Sequence, residues 1–401
     1  MALAVSSYDA NADGASNGVR ERRPARVARL GLPVTGAHAS QAQQAEGGPD
    51  DAQALRDLHL ELDRRGLFEP SGIWGRKLLV WIPILFLSYL GLVALPFGLL
   101  WLLLVPVASV AFLTMGYLGH DAGHYALSKR RWVNDVWGHF GMTFLCGFSF
   151  GFWRARHNRH HAHCQETDGD PDMQFGVIFS VYPESSNWKS AFGRLFLEIQ
   201  RWAFWPLACF YWAGLRYDGI RDLFQQPKLT RIDRFVLPLH WLVLLVVPGL
   251  VFGWGAAVAA YLAVSCVSSL MTAAVFIPNH IGMRLLTGAD KPSYLEQQVT
   301  TSRNIANPRV MDFFYGGLNS QIEHHLFPRV AHNRYRAMRP VVRAFCEARG
   351  IAYQEASLYG ALAAVGRHLG AMTAAYRASK KLAAPAGSAR QLTFVEQRRF
   401  S

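Results

Sequence analysis

The hydropathy pattern contains two long uncharged runs, at residues 78–119 and 235–283. Because a membrane-spanning helix needs only about 20 apolar residues, each run is long enough for two helices. Glycine or proline interrupts the runs near residues 96–98 and 253–255, where a chain can reverse direction. The pattern therefore predicts four transmembrane helices in two hairpins, at about residues 78–119 and 235–279.

Basic residues flank both hairpins, and neither predicted turn carries a lysine or an arginine. The flanking residues are Arg76, Lys77, Lys129, Arg130 and Arg131 for the first hairpin, and Arg231, Arg234 and Arg284 for the second. Because Lys and Arg are enriched in cytoplasmic loops, we expect both turns outside the cell and both chain termini in the cytoplasm.

Two shorter apolar stretches, residues 136–153 and 195–215, lie between the hairpins. The first contains His139 and several glycines, and the second contains Glu198, Arg201 and many aromatic residues. Mixed segments of this kind favour helices at the membrane interface over additional crossings. Each hairpin crosses the membrane twice. The polar segments before, between and after the hairpins therefore all reach one face of the membrane.

The two ends of the chain lack a sustained apolar period, which predicts disordered tails at residues 1–49 and 382–401. Leucines among charges predict a helix over residues 50–66, and residues 340–376 show a mostly helical pattern. We therefore expect a single all-α membrane domain at residues 50–381.

The composition agrees with a membrane location. Hydrophobic residues make up 51% of the chain and charged residues only 17%, with 12 Trp and 25 Phe, which is typical of membrane proteins with interfacial aromatics. The formal net charge of +13 suits anionic lipid head groups or an acidic partner. No basic and aromatic nucleic-acid module is visible, so nucleic acid is not an expected partner. The five cysteines are scattered, which argues against a disulfide framework or a zinc finger and favours small buried residues.

Three histidine clusters have the spacing of one helix face. They are His120-Asp121-Ala122-Gly123-His124, His157-Asn158-Arg159-His160-His161 and Gln321-Ile322-Glu323-His324-His325. Helix positions i, i+3 and i+4 share a face, so the imidazoles of one cluster converge. One cluster alone is equally typical of a buried polar patch. Three clusters offer more nitrogen than one metal ion uses, which predicts a site for two ions.

The ligand chemistry favours iron over zinc. Structural zinc takes four ligands and catalytic zinc keeps three, so seven histidines would be surplus. A redox-active iron in an open nitrogen site, able to bind dioxygen, uses them better. Asp121 and Glu323 are the expected orienting partners of ligand nitrogens, in preference to the acidic run at residues 166–172. The apolar hairpins beside the site indicate a substrate with a long hydrocarbon chain.

The ordered clusters, with the longer motif at residues 316–328, resemble the three histidine boxes of the membrane fatty acid desaturases over residues 78–328. The resemblance implies a cytoplasmic helical cap that holds two non-haem iron ions. It also implies removal of two hydrogens from a fatty acyl chain, with dioxygen as co-substrate and two externally supplied electrons. Gln321 replaces a commoner histidine, which resembles the front-end desaturases and related bacterial enzymes acting on acyl-CoA or acyl-lipids.

By this resemblance, eight histidines are the metal ligands, and no catalytic residue is implied beyond the metal centre. They are His120, His124, His157, His160, His161, His280, His324 and His325, of which His280 follows the fourth span. Gln321 is a candidate ligand, directly or through water, or a residue that orients a neighbour. Asn279 is expected to hold a water molecule.

The resemblance also bears on partners. Many front-end members carry a fused cytochrome b5 with a His-Pro-Gly-Gly motif, which this sequence lacks. We therefore expect a separate electron donor, such as a ferredoxin or a cytochrome with its reductase, and an acyl substrate linked to CoA, a carrier protein or a lipid. The expected location is a bacterial inner membrane, with the active site in the cytoplasm.

Two other functions compete at this level. An acyl-chain hydroxylase or acetylenase would use the same metal centre, because hydrogen abstraction is shared. A metal transporter or sensor would need ionisable residues deep in the spans, and the central parts of the predicted spans lack them. Outside the clusters, His139, His332 and His368 are expected to be structural, and His163 is a candidate orienting residue.

Overall fold

A computed structural model describes residues 49–69, 71–173, 179–186, 190–290, 292–306 and 308–383. The tails predicted at residues 1–49 and 382–401 lie outside these ranges, apart from Pro49 at one end and Leu382 and Ala383 at the other.

The described residues are mostly helical. In chain order the elements are α1 (Pro49–Arg64), α2 (Ile73–Ala94), α3 (Trp101–Gly123), α4 (Arg131–Gly138), α5 (Phe150–Ala162), α6 (Ala191–Ala208), α7 (Tyr211–Gln225), α8 (Asp233–Trp241), α9 (Val247–Phe252), α10 (Trp254–Phe276), α11 (Tyr294–Thr300), β1 (Asn304–Ala306), α12 (Arg309–Tyr315), α13 (Gln321–Leu326), α14 (Tyr335–Ala348), β2 (Glu355–Ser357) and α15 (Leu358–Ala383). Two π-helical segments, His139–Leu145 and Leu242–Val246, continue α4 and α8.

Four segments in the described part of the chain are long and apolar enough to cross a membrane. They are α2, α3, Asp233–Phe252 (α8 with α9) and Trp254–Asn279 (α10 with its last turn). α2 packs against α3, α9 packs against α10, and α10 also packs along α3. The predicted fold, four apolar helices in two packed hairpins, is confirmed.

The hairpin turns follow from local backbone chemistry. Gly253 alone separates α9 from α10, and its φ of 95° lies in the left-handed region that favours glycine. The first turn is longer, at residues 95–100, and the Trp101 indole N–H lies 3.1 Å from the carbonyl oxygens of both Leu92 and Leu95. That indole satisfies carbonyls that the end of α2 leaves without helical partners.

A side chain from the first hairpin supplies a hydrogen bond that a proline removes from the second hairpin. Pro248 has no N–H to donate to the carbonyl of Leu244, one turn earlier, and the helix is π-helical at this point. The buried hydroxyl of Tyr89, on α2, donates to that Leu244 carbonyl at 2.6 Å. The two hairpins are therefore joined by a hydrogen bond as well as by apolar packing.

The two stretches between the hairpins are broken helices. Gly147, with a φ of 75°, separates the π-helical end of the first from α5, and Cys209 and Phe210 separate α6 from α7. Neither is among the candidate spans of the described residues, as predicted. One face of α6 exposes Phe192, Leu195, Ile199 and Trp202. This apolar stripe is typical of a helix that lies along a membrane surface.

The elements outside the spans surround the histidine segments. β1 and β2 form a parallel pair with Ile305 opposite Ala356, which was not predicted. Buried leucines of α1 pack with α13 and α14, and α15 packs along α6. The C-terminal helices predicted at residues 340–376 are present as parts of α14 and α15.

Candidate metal centre

The structure brings the eight predicted histidines into one buried cluster. Seven of these histidines, together with Cys164, form two groups in which the possible ligand atoms lie within 4.8 Å of one another. The first group is His120, His124, His157 and His324, and the second is His160, Cys164, His280 and His325. His161 lies between them, since its ring centroid is 4.6 Å from that of His124 and 4.2 Å from that of His325. Two adjacent donor sets are the arrangement that two metal ions require.

Each histidine segment is positioned by a different element. His120 lies in the last turn of α3 and His124 directly follows that helix. The second cluster is on α5, as the spacing predicted. The third occupies the six-residue helix α13, and His280 follows the 3₁₀ turn that ends the fourth span.

The start of α5 is fixed by a carboxylate from the second hairpin. Asp233, fully buried, accepts hydrogen bonds from the Thr143 and Ser149 hydroxyls and from the backbone N–H groups of Phe150 and Gly151. A negative charge at a helix N-terminus also interacts favourably with the helix dipole. His139 contributes a further contact at 3.0 Å, in line with its predicted structural role.

The approach to α13 requires two glycines. Gly316 and Gly317 have φ values of 55° and 80°. A Cβ atom on Gly316 would lie 2.6 Å from the Tyr117 ring, and one on Gly317 would lie 2.5 Å from the backbone oxygen of His332. Side chains at either position would displace the segment that carries His324 and His325.

Gln321 and Asn279 lie together against His280. The Gln321 amide nitrogen is 2.9 Å from His280 Nε2, and the Asn279 amide donates to the Gln321 oxygen at 3.1 Å. The other ring nitrogen of His280, Nδ1, lies 3.1 Å from the Thr301 carbonyl. Both predicted polar neighbours therefore reach the second donor group.

Several ligand candidates are oriented through their second nitrogen, as metal-binding imidazoles usually are. His160 Nδ1 lies 3.0 Å from the Asp170 carboxylate, and His325 Nδ1 lies 2.9 Å from the Gln298 amide oxygen. His324 Nδ1 lies 3.1 Å from the Tyr335 hydroxyl.

The expected carboxylates have other partners. Glu323 is buried and accepts hydrogen bonds from Asn304 and Tyr353, rather than orienting a ligand. Asp121 accepts hydrogen bonds from the Trp74 indole at 2.9 Å and from His332 at 2.6 Å. Its distance to His120 Nδ1 is longer, at 3.5 Å. A side chain next to a ligand on the same helix points about 100° away from it, so partners come from other segments.

Sequence reasoning missed several residues of the centre. Asp170 belongs to the acidic run that was set aside, and Cys164, expected to be an ordinary buried cysteine, lies 3.6 Å from His280 Nδ1. Gln298 and Tyr335 carried no local signal. His332 contacts the carboxylate beside His120, whereas His163 pairs with Glu166 and His368 with the Val181 carbonyl.

The electrostatics keep most of these rings neutral. Burial, reinforced by neighbouring imidazoles, lowers the pKa of five rings well below the ordinary histidine value: His124, His157, His161, His324 and His325. Burial also lowers the pKa of His280 to about 3. Burial disfavours the charged form of His160 too, but the Asp170 carboxylate outweighs it and raises the pKa to about 9. Neutral imidazole is the form that binds metal.

Buried ring nitrogens test whether metal ions fit. His124 Nε2, His161 Nδ1, His324 Nε2 and His325 Nε2 are buried without a hydrogen-bond partner among the described residues. An unpaired buried polar atom costs about 1–3 kcal/mol, so four within one cluster of rings would be strongly destabilising without a ligand. Metal ions held by the two donor groups would give His124, His324 and His325 the missing partners. The donor set fits ions that prefer nitrogen, iron included.

The apolar hairpins define a multi-pass membrane protein. Its buried cluster of imidazoles is a histidine-rich centre able to bind metal. A sequence model of the fatty acid desaturase family matches residues 65–357. The chain belongs to this family, and is therefore a desaturase-type oxidoreductase.

Known relatives agree with this assignment. A Delta(8)-fatty-acid desaturase of Helianthus annuus is 29% identical over 328 residues, which cover 78% of this chain and 71% of that protein. An acyl-lipid (9-3)-desaturase of Borago officinalis is 28% identical over 319 residues, or 75% and 70% of the two chains. A Delta 8-(E)-sphingolipid desaturase of Kluyveromyces lactis is 26% identical over 341 residues, or 77% and 56%.

Proposed function

We propose that residues 50–381 form a membrane acyl desaturase that introduces a carbon–carbon double bond into a long acyl chain, using dioxygen and two electrons at a pair of non-haem irons. The observation that supports this best is the pair of adjacent, largely buried donor groups. When bound there, two irons would supply the oxidising power that an unactivated methylene group requires.

The ligand roles are part of the proposal. We assign the two donor groups, with His161 between them, to two irons. Asn279 Oδ1 is buried without a hydrogen-bond partner among the described residues, which suits a water bound near the second iron. Gln321, which contacts His280, would reach the same position through its amide. Asp170, Gln298 and Tyr335 hold ligand rings in position through their second nitrogens.

An apolar cavity suits the hydrocarbon chain of the substrate. It has a volume of about 140 Å³ and lies between α3 and α10. Its walls include Leu113, Tyr117 and Met271 from the spans, and Phe314 and Tyr315 from α12. Tyr117 also contacts the glycine segment that leads to α13, so the cavity adjoins the third histidine segment.

The distribution of basic residues supports an orientation and a type of electron donor. Basic residues flank both hairpins on the side of the histidines, which by the positive-inside rule supports a centre that faces the cytoplasm. A positive surface there would attract an acidic electron donor, such as a ferredoxin or a cytochrome, and speed the encounter. The acyl group would arrive on CoA, on a carrier protein or in a lipid.

Expression of the full chain with a compatible electron donor, in a host of known lipid composition, tests the function. We expect new acyl species that have lost two hydrogens by mass spectrometry. A gain of one oxygen would instead identify a hydroxylase. His160→Ala should insert into the membrane normally but yield no product, because it removes one donor of the second group.

The matched control is His59→Ala, an exposed histidine on α1 that contacts Phe68 and none of the donor groups. It should retain full product formation. Product formation by His160→Ala at the level of this control would contradict the ligand assignment.

A further inference from the structure

A second cavity, lined by several charged side chains, lies beside the first transmembrane helix. It has a volume of about 270 Å³ and is formed by the start of α2, by α12 and by the segment that leads into α14. We call it the Lys77 pocket; its lining residues are Ile73, Lys77, Arg309, Asp312, Phe313, Gly317, Ser320, His332, Asn333 and Arg336. Three of these side chains are cationic and one is a carboxylate.

Lys77 is held so that its charge faces the pocket. Its Nζ lies 2.7 Å from His332 Nε2, and because an ammonium group has only donors, the imidazole must accept. The other ring nitrogen, Nδ1, then donates to the Asp121 carboxylate at 2.6 Å. One of the three N–H groups of Lys77 is used in this way, which leaves two for a ligand.

The two arginines differ in their partners. The guanidinium of Arg336 is bound by both oxygens of Asp312, with Nη2 2.9 Å from Oδ1. Arg309 is exposed and makes no hydrogen bond or ion pair with any residue that the structure describes. Three cations therefore face two carboxylates, Asp312 and Asp121, and one net positive charge remains. The charge suits an anion with a single negative charge.

The position of the pocket indicates where that anion comes from. Ile73 and Phe313 provide an apolar wall at the start of α2, and Phe313 and Phe314 are 40% and 43% exposed. Phe313 lines the Lys77 pocket, while the next residues, Phe314 and Tyr315, line the apolar cavity between α3 and α10. One short helix thus separates a site for an anionic head from a site for a hydrocarbon chain.

We propose that the Lys77 pocket binds the phosphodiester of a membrane glycerolipid, and that a chain of this lipid occupies the adjacent apolar cavity. A phosphodiester carries one negative charge, which matches the pocket, whereas CoA carries several. The proposal rests on the proposed function only in naming this lipid as the acyl substrate. Binding of the phosphodiester follows from the pocket itself.

The test measures lipid binding to the full-length protein in neutral detergent by native mass spectrometry. The probe is dihexanoyl phosphatidylglycerol, with dihexanoyl glycerol as the phosphate-free comparison. Arg309→Gln should weaken binding of the phospholipid about tenfold or more, the effect of losing one charge-assisted hydrogen bond. Arg309→Lys should restore part of the affinity, because it restores the charge.

Arg231→Gln is the matched control, since Arg231 is an exposed arginine beside the other hairpin and lies outside the pocket. It should bind the phospholipid like the unaltered protein. Equal binding of phospholipid and phosphate-free lipid, or equal binding by Arg309→Gln and Arg231→Gln, would overturn the proposal.

Inorganic phosphate and CoA form two further arms of the experiment. If the site takes a lipid, neither should compete with the phospholipid at equal concentration, because neither offers a hydrocarbon tail together with one charge. Competition by either would overturn the lipid assignment. Absence of double bonds in every lipid class would contradict the proposed function, but would leave the binding result unaffected, so the two failures are distinguishable.

Discussion

At the scale of single residues, a hydrogen bond to one ring nitrogen decides how firmly an imidazole of the cluster is held. Asp170 is the carboxylate with the most direct hold on a predicted ligand, through His160 Nδ1 at 3.0 Å. It also accepts the backbone N–H groups of Gln165 and Asp172, which fixes the loop after α5. This carboxylate therefore fixes both the tautomer and the direction of the His160 ring.

Asp170→Asn should weaken metal binding at the second donor group by about 10- to 100-fold, the range found when an outer partner of a ligand histidine is lost. Iron content of the purified protein measures this directly, with about one of two irons expected to be lost on dilution. Asp168→Asn is the control, because Asp168 is exposed in the same acidic run. Equal iron content in both variants would exclude a role for Asp170.

The sequence predicted which histidines come together better than it predicted the hydrogen-bond partners of their rings. The spacing of His157, His160 and His161 is a property of one helix, so it can be read locally. The partner of His160 comes from the loop ten residues later, and the partner of His325 comes from α11. Neither contact is encoded by local spacing, because each depends on how separate segments pack.

At the scale of elements, the short helix α13 depends on the turn before it. A side chain on Gly317 would meet the His332 backbone oxygen at 2.5 Å and would also adopt a left-handed φ of 80°. Gly350 has a similar φ of 67°, but a Cβ atom there meets nothing within 4 Å. Comparing substitutions at Gly317 and Gly350 therefore separates the cost of backbone strain from the cost of steric overlap.

We expect Gly350→Ala to lower the free energy of unfolding by only about 1–2 kcal/mol, the cost of left-handed backbone for a residue with a Cβ atom. Gly317→Ala should be more harmful and should also lower iron content, because the backbone of α13 must shift. Thermal unfolding in detergent and metal analysis measure the two effects. Similar losses in both variants would show that overlap with His332 is not important.

Apolar runs predicted the spans well because burial in lipid requires long uncharged helices. The same reasoning could not locate the breaks within them. The π-helical segment at Leu242–Val246 depends on Pro248 together with a hydroxyl from α2, and the β1–β2 pair is only three residues long. Features this short leave no periodic pattern.

At the scale of the whole molecule, one hydrogen bond tests how the two hairpins are joined. Tyr89→Phe would leave the Leu244 carbonyl without the donor that replaces the missing N–H of Pro248. We expect a loss of about 1–2 kcal/mol in the free energy of unfolding, measured by thermal unfolding in detergent. Tyr359→Phe, at a residue 85% exposed, should have no effect. An equal free energy of unfolding for the two variants would mean that apolar packing alone holds the hairpins together.

The parity of the spans was the most useful inference from the sequence about the molecule as a whole. Two spans separate the first cluster from the third, so both can reach one face of the membrane, and the structure brings His324 into one group with His120 and His124. Sequence could predict this meeting but not its geometry. The division into two donor groups, and the inclusion of Cys164 in one of them, depends on the packing of α3, α5 and α13.

The neutral imidazole cluster also predicts how the protein responds to acid. Six rings have a pKa below the ordinary histidine value of 6.5 because of burial, so below that pH the unfolded chain binds more protons than the folded chain. Each such ring makes stability fall by about 1.4 kcal/mol per pH unit below pH 6. His160 acts in the opposite sense: its raised pKa adds stability below about pH 6.5, which is lost as the pH rises towards 9.

Six rings outweigh one, so the melting temperature should fall steeply between pH 6.5 and pH 5. Metal binding also weakens as the pH falls, because protons and metal ions compete for the same nitrogens. Melting curves of the metal-loaded and chelator-treated protein between pH 5 and pH 8 measure both effects. The chelated protein should melt lower at every pH, since its buried nitrogens have lost their ligands. A melting temperature that is constant over this range would show that the rings are already charged or exposed, and would contradict the buried neutral cluster.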